Sequence, residues 1–384
     1  MLTAATTYPE VLDDRIGFSL PADDAQVTQV WLECDSVIPG ERAFTRDGQH
    51  WRLELPRPAL SRLEYRFSLH RGDAYESVLD AANPRRVDTA FGQRSVLELP
   101  GYAAPWWLTA PQIAGDHDSL MLAGETGGEV PVTLWAPTDL ADREPAPLLL
   151  VHDGPEYDQL ASLTAYSGAL IAAGVLPPHR IALAHPVMRN AWYSGSPAYL
   201  RTIAQAGLGR IEERYAVASP VVVMGASLGG LTALLVGLLA PQIGGVFAQS
   251  GSFFQPYLDE SEAGFPYFGR ITTAVSNVLD APHADRPLRV GMTCGALEEN
   301  AANNRMMASA LRKAGKMVCV GLFGGSTPIV PAMVSMKAVT VMGSYVGSLA
   351  EMEELMAIAR DGSLPNLPLT SQSLSTATDA LADL

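Results

Sequence analysis

Cysteine is scarce in this chain: Cys34, Cys294 and Cys319 stand far apart among 384 residues. Three thiols so spaced build neither a disulfide framework nor a cysteine-rich zinc site, and a reducing cytoplasm is the expected compartment. Basic side chains are few as well. Lys and Arg number 26 against 41 Asp and Glu, a net charge of -15 with a pI near 4.9. The positive patch that a nucleic acid or an anionic membrane surface requires is therefore not expected, and neither is a predicted partner. Met1 to Arg15 lacks the basic region and apolar stretch of a signal peptide. There is no internal repeat and no low-complexity tract. Charge is missing between Arg214 and Asp259, but Gly225, Gly229, Gly230, Pro241 and Gly244-Gly245 interrupt that stretch. It reads as strand, turn, helix and strand in a buried core rather than as a membrane span.

What is present suits a globular chain. Hydrophobic residues make up 48% and charged ones 17%, enough apolar surface for a sizeable core and too much for disorder along the whole length. At about 150 residues per domain, two or three domains are expected. Residues 1–105 read as a small β-sandwich. Val27 to Leu32 and Leu63 to Leu69 alternate apolar and polar side chains, and Pro39-Gly40, Asp47-Gly48 and Gly72-Asp73 punctuate them. Leu99 to Trp107 reads as a linker. Residues 115–316 then alternate strand and helix, which predicts an α/β fold with a mostly parallel sheet covered on both faces. Strands are expected at 130–135, 148–151, 181–184, 221–224, 246–249 and 288–292, and helices over 158–174, 197–215 and 231–239.

The strongest local signal is Gly225-Ala226-Ser227-Leu228-Gly229. It follows an apolar strand and precedes an apolar helix, the context a G-x-S-x-G nucleophile elbow requires. A sharp turn there lifts the Ser227 hydroxyl above the sheet, and small neighbours let the backbone double back. The N–H of Leu228 opens the helix, where it can stabilise an oxyanion. A second donor is expected from the loop after an earlier strand, where His152-Asp153-Gly154 stands and Gly154 permits close backbone approach. His152 itself reads best as a packing or orienting residue. Glu298, after the strand over 288–292, is the candidate acid with Glu299 in reserve; two carboxylates at a helix start equally suit the helix dipole.

At these residues the chain resembles the enterochelin esterases, within the esterase branch of the α/β hydrolases. The stretches that carry the resemblance are Val78 to Pro84, Val151 to Tyr157, Arg189 to Ser194, Gly225 to Gly230, Gln249 to Phe254 and Gly295 to Arg305. The resemblance implies an α/β-hydrolase preceded by a β-sandwich. It also implies a small-molecule ester substrate, a ferric catecholate siderophore in that family, and no cofactor. Arg189, Asn190 and Tyr193 would line the pocket by the same analogy, or form a satisfied polar loop.

The hydrolase order is Ser, acid, His, and here the pattern breaks. The histidines are 50, 70, 117, 152, 179, 185 and 283; none follows Glu298. A serine at its free pKa needs a neighbouring base, and losing it lowers turnover by about 10⁶-fold in a serine hydrolase. His152 and His185 follow expected strands and are the possible substitutes, neither at the usual place. Weak or absent activity is therefore expected, and a catalytically dead ligand-binding fold is an alternative. Beyond a helix expected over 300–314, the segment 316–384 resembles the end of a zinc-type (medium-chain) alcohol dehydrogenase. Val320 to Gly325 and Gly343 to Leu349 carry that likeness. By its tail alone the chain would be an NAD(P)-dependent dehydrogenase. That family's G-x-G-x-x-G turn and zinc ligands lie upstream and are not found here, so neither NAD nor zinc is carried over. A fusion junction near Gly315-Lys316 accounts for the change of character, with 317–384 as a separate C-terminal segment.

Overall fold

Alternation of buried and exposed side chains builds the first hundred residues into two stacked sheets. In the computed structural model, which describes residues 9–126, 128–280, 288–296 and 298–311, the strands here are β1 (Glu10–Val11), β2 (Arg15–Pro21), β3 (Gln29–Glu33), β4 (Thr45–Asp47), β5 (His50–Pro56), β6 (Arg62–Arg71), β7 (Ala74–Val78), β8 (Arg86–Val87) and β9 (Arg94–Glu98). One sheet runs β1-β2-β5-β4; the other runs β3-β6-β9-β8, with β7 paired to β6. In β5 Trp51, Leu53 and Leu55 turn inward while their neighbours stay exposed. They join Ile16 and Phe18 of β2 and Leu63, Tyr65 and Phe67 of β6 in one buried cluster, as two half-buried sheets require. The Asn83-Pro84 turn is pinned to this sandwich. The Tyr65 hydroxyl donates to Asp80 Oδ2 at 2.7 Å and accepts from Asn83 Nδ2 at 3.0 Å.

The period changes from Gly115 onward. The strands β10 (Gly115–Leu122), β11 (Val130–Pro137), β12 (Ala146–Val151), β13 (Arg180–Ala184), β14 (Val217–Ala226), β15 (Ile243–Gln249) and β16 (Arg289–Thr293) form one sheet in the order β10-β11-β13-β12-β14-β15-β16. The pairs up to β13 are antiparallel and those from β13 to β16 parallel. The intervening helices are α1 (Gly154–Ala161), α2 (Leu163–Ala172), α3 (Arg189–Tyr193), α4 (Pro197–Arg201), α5 (Leu208–Arg214), α6 (Leu228–Leu239), α7 (Phe268–Asp280) and α8 (Ala301–Leu311). Leu148, Leu150, Val221 and Val223 feed the core on one face of the sheet, and Val151, Ile181, Leu183 and Met224 the core on the other. Burial on both faces explains why these strands read as unbroken apolar runs. The fold is that of an α/β hydrolase with an N-terminal β-sandwich.

Two expected helices differ in detail. The one over 158–174 is split at Ser162, which sits at φ 54° between α1 and α2. The Asp158 carboxylate takes both the N–H and the hydroxyl of Thr164, so a new helix starts there. The one over 197–215 is continuous, but passes through a π-helical stretch, Thr202–Gly207, between α4 and α5. The segment 316–384, expected to resemble a dehydrogenase, and the end of the helix expected over 300–314 lie outside the described residues. Among the described residues no helix is long and apolar enough to cross a membrane, and no group of three or more His, Cys, Asp or Glu is arranged to hold a metal ion.

Candidate active site

The chain leaves β12, pairs next as β13 on one side of it, and returns as β14 on the other. That reversal of strand order is where open α/β sheets place their ligands, beyond the carboxyl ends of the strands, here β12 and β14. Val151 stands opposite Met224 in the register, and the His152 N–H donates to the Met224 carbonyl at 2.9 Å. The turns 152–154 and 226–228 thus lie side by side, each opening a helix.

Ser227 occupies the second turn at φ 54°, ψ -121°, a conformation that disfavours a side chain by about 1–3 kcal/mol. Local sequence explains how it persists. A Cβ on Gly225 would strike the Gly229 carbonyl, and one on Gly229 would come within 2.9 Å of Asp153 Oδ2. The Ser227 N–H donates to Gln249 O at 2.9 Å, and its carbonyl accepts from the N–H of Leu231 and Ser252 at 3.1 and 3.0 Å. The backbone is held on both sides, and the residue itself is exposed. Its Oγ lies 3.0 Å from Ser252 Oγ. Leu228 and Gly154 are the first residues of α6 and α1, so neither N–H has an intrahelical acceptor. Gly154 also packs against the Leu183 backbone of β13, where no Cβ fits.

The histidines named as substitute bases are placed otherwise. His152 is completely buried between Tyr193 and Tyr199, with ring centroids 5.2 and 5.9 Å away. Its Nδ1 meets the Tyr199 hydroxyl at 3.3 Å, Nε2 has no partner, and burial pushes its pKa down to about 3. It is an enclosed core ring with no hydrogen bond to Ser227. His185 follows β13, but its Nε2 bonds to Thr133 Oγ1 of β11 at 2.8 Å, on the far side from β14. Among the described residues no histidine is hydrogen-bonded to Ser227; His283 lies outside them. Glu298 is exposed in the turn after β16, where Oε1 accepts from Ser250 Oγ at 2.9 Å and from the Gly295 N–H at 2.7 Å.

The loop residues divide by depth. Arg189 forms a two-pronged ion pair with Asp153, at 2.7 and 2.8 Å, and stands over the Tyr193 ring. Tyr193 is fully buried, and its hydroxyl accepts the Asp153 N–H at 3.2 Å. It supports the turn from beneath, which corrects its placement as a pocket-lining residue. Arg189 and Asn190 do line an open groove of about 410 Å³, with Met188 and Tyr267. Sequence reasoning passed over Asp153, Ser252 and the asparagines of the last helical segment. Asn300 Nδ2 donates to Ser250 O at 2.7 Å, Asn303 Nδ2 to Phe253 O at 3.1 Å and Asn304 Nδ2 to Gly251 O at 2.9 Å. Their run of amides just after Glu298 was the available signal.

Comparison with known proteins agrees with this architecture. A family model described as "Putative esterase" matches residues 123–317, just over half of the chain. No curated protein matches the sequence. The enterobactin esterase of Shigella flexneri, solved in the presence of 2,3-di-hydroxy-N-benzoyl-glycine, superposes with a TM-score of 0.61 at 19% identity, over 79% of this chain and 86% of that one. A structure of enterochelin esterase from the same organism gives 0.60 at 20% identity, over 79% and 86%. Ferric enterobactin esterase from Salmonella typhimurium gives 0.54 at 18% identity, over 77% and 94%. Likeness at this level of identity shows a shared fold.

Proposed function

The chain belongs to the "Putative esterase" family, and from that premise we propose that it is a serine carboxylic-ester hydrolase of the enterochelin-esterase type. The observation that carries this reading is Ser227: a non-glycine residue at φ 54°, exposed, at the start of a helix beyond a parallel strand. In the proposed reaction its Oγ attacks the ester carbonyl. The carbonyl oxygen takes up negative charge against the N–H groups of Leu228 and Gly154, each at the start of a helix. The alcohol leaves, and water then releases the acid from Ser227. Glu298 is the acid of this scheme. The groove beside Arg189 and Asn190 is the proposed seat of a small-molecule ester, with catecholate siderophores as the first class to test.

Turnover is proposed to be slow. Among the described residues the base is the missing element, since the hydroxyl's bonding partner there is Ser252 and not an imidazole. The test is hydrolysis of p-nitrophenyl acetate and of enterobactin by the intact chain, by Ser227→Ala and by each His→Ala variant. We expect rates orders of magnitude below a complete triad and no dependence on His152 or His185. Robust turnover that Ser227→Ala abolishes and every single His→Ala change spares would contradict the scheme.

A further inference from the structure

Two hydroxyls meet at the turn after β14. Ser252 Oγ lies 3.0 Å from Ser227 Oγ, and the Ser252 N–H donates to the Ser227 carbonyl at 3.0 Å, so the two residues are joined twice. Their surroundings differ. Ser227 is exposed, whereas Ser252 is 3% exposed. A buried hydroxyl shielded from water keeps the partner it has, because losing it leaves a polar group unsatisfied. The segment that carries Ser252 is also fixed. Asn304 grips Gly251 at both ends, accepting its N–H at 3.0 Å and donating to its carbonyl at 2.9 Å, while Asn300 and Asn303 hold the carbonyls of Ser250 and Phe253. A Cβ at Gly251 would run into the Phe253 ring, so the tight path of this loop is built in.

We propose that Ser252 is a positioning residue for Ser227, holding its hydroxyl in place and donating a hydrogen bond to its oxygen as that oxygen loses its proton. The inference rests on the reading of Ser227 as nucleophile and deepens it. Before reaction either oxygen can donate. Once Ser227 has given up its hydrogen, its oxygen can only accept, and Ser252 becomes the donor. A donor to a developing anion strengthens as charge grows, so it acts on the reacting state more than on the resting one.

The test is inactivation by a fluorophosphonate. The Ser227 Oγ–P bond forms, the P–F bond breaks, fluoride leaves and the serine proton passes to solvent. Saturation of the rate with reagent separates the maximal inactivation rate from the half-saturating concentration. For Ser252→Ala we expect the maximal rate to fall about tenfold, the size of one charge-assisted hydrogen bond. The half-saturating concentration and the melting temperature should hold, and Ser252→Thr, which keeps the hydroxyl, should recover most of the rate. An unchanged maximal rate in Ser252→Ala overturns the proposal. So does a fall that comes with a matching loss of melting temperature and that Ser252→Thr reproduces, since that is packing alone. Failure of the unaltered chain to react while its fold is intact removes the nucleophile reading itself, and the proposal with it.

Discussion

A histidine enclosed by tyrosine rings has a different chemistry from one in a cleft, and His152 shows it. Burial holds its pKa near 3 in the folded chain, against about 6.5 when unfolded. Between those values the unfolded chain carries a proton that the folded chain does not, so stability must fall as pH drops from about 6.5 toward 3. His152→Phe keeps a ring in the site and deletes the unpartnered Nε2. Urea unfolding followed across that range should show a shallower acid loss in the variant; an identical slope would contradict this account of the ring. The same residue marks how far single positions could be read. Gly225, Ser227 and Gly229 declare themselves in sequence because the constraint that selects them is local backbone geometry. His152 read from the sequence best as a packing or orienting residue and only as a possible substitute base, and the aromatic cage built by α3 and α4 is what encloses it. Ser252 and Asp153 stayed hidden for the converse reason, since their partners are 25 and 36 positions away.

At the scale of elements, the elbow between β14 and α6 is the piece most sensitive to volume. Gly225→Ala would set a methyl group against the Gly229 backbone, which no rotamer change can relieve. Overpacking of this kind destabilises by ~1–3 kcal/mol. Thermal unfolding should therefore show a melting temperature several degrees lower, and unchanged melting would mean the turn is looser than the geometry requires. The central strands β12, β13 and β14 were legible because both faces are largely buried and the apolar runs are nearly continuous. β10 was not: only Leu120 and Leu122 near its end are buried, so its first half has no alternation to read. α3 spans five residues, too short for a 3.6-residue period to emerge. The break between α1 and α2 was invisible because it depends on a single side-chain cap, Asp158.

Across the whole molecule, the proposed site is an assembly of turns that follow the carboxyl ends of strands in one sheet. β12 contributes Gly154, β13 leads to Arg189, β14 to Ser227, β15 to Ser252 and β16 to Glu298. The mostly parallel sheet that collects them was implied by alternating strands and helices, but its strand order was not. The central claim is that the hydroxyl raised at this end of the sheet becomes acylated. The most direct measurement is peptide mapping by mass spectrometry after exposure to a fluorophosphonate, on the intact chain and on Ser227→Ala. The account predicts a single adduct on the peptide that carries Ser227 and none in the variant. An adduct on another residue, or one that persists when Ser227 is replaced, would contradict it.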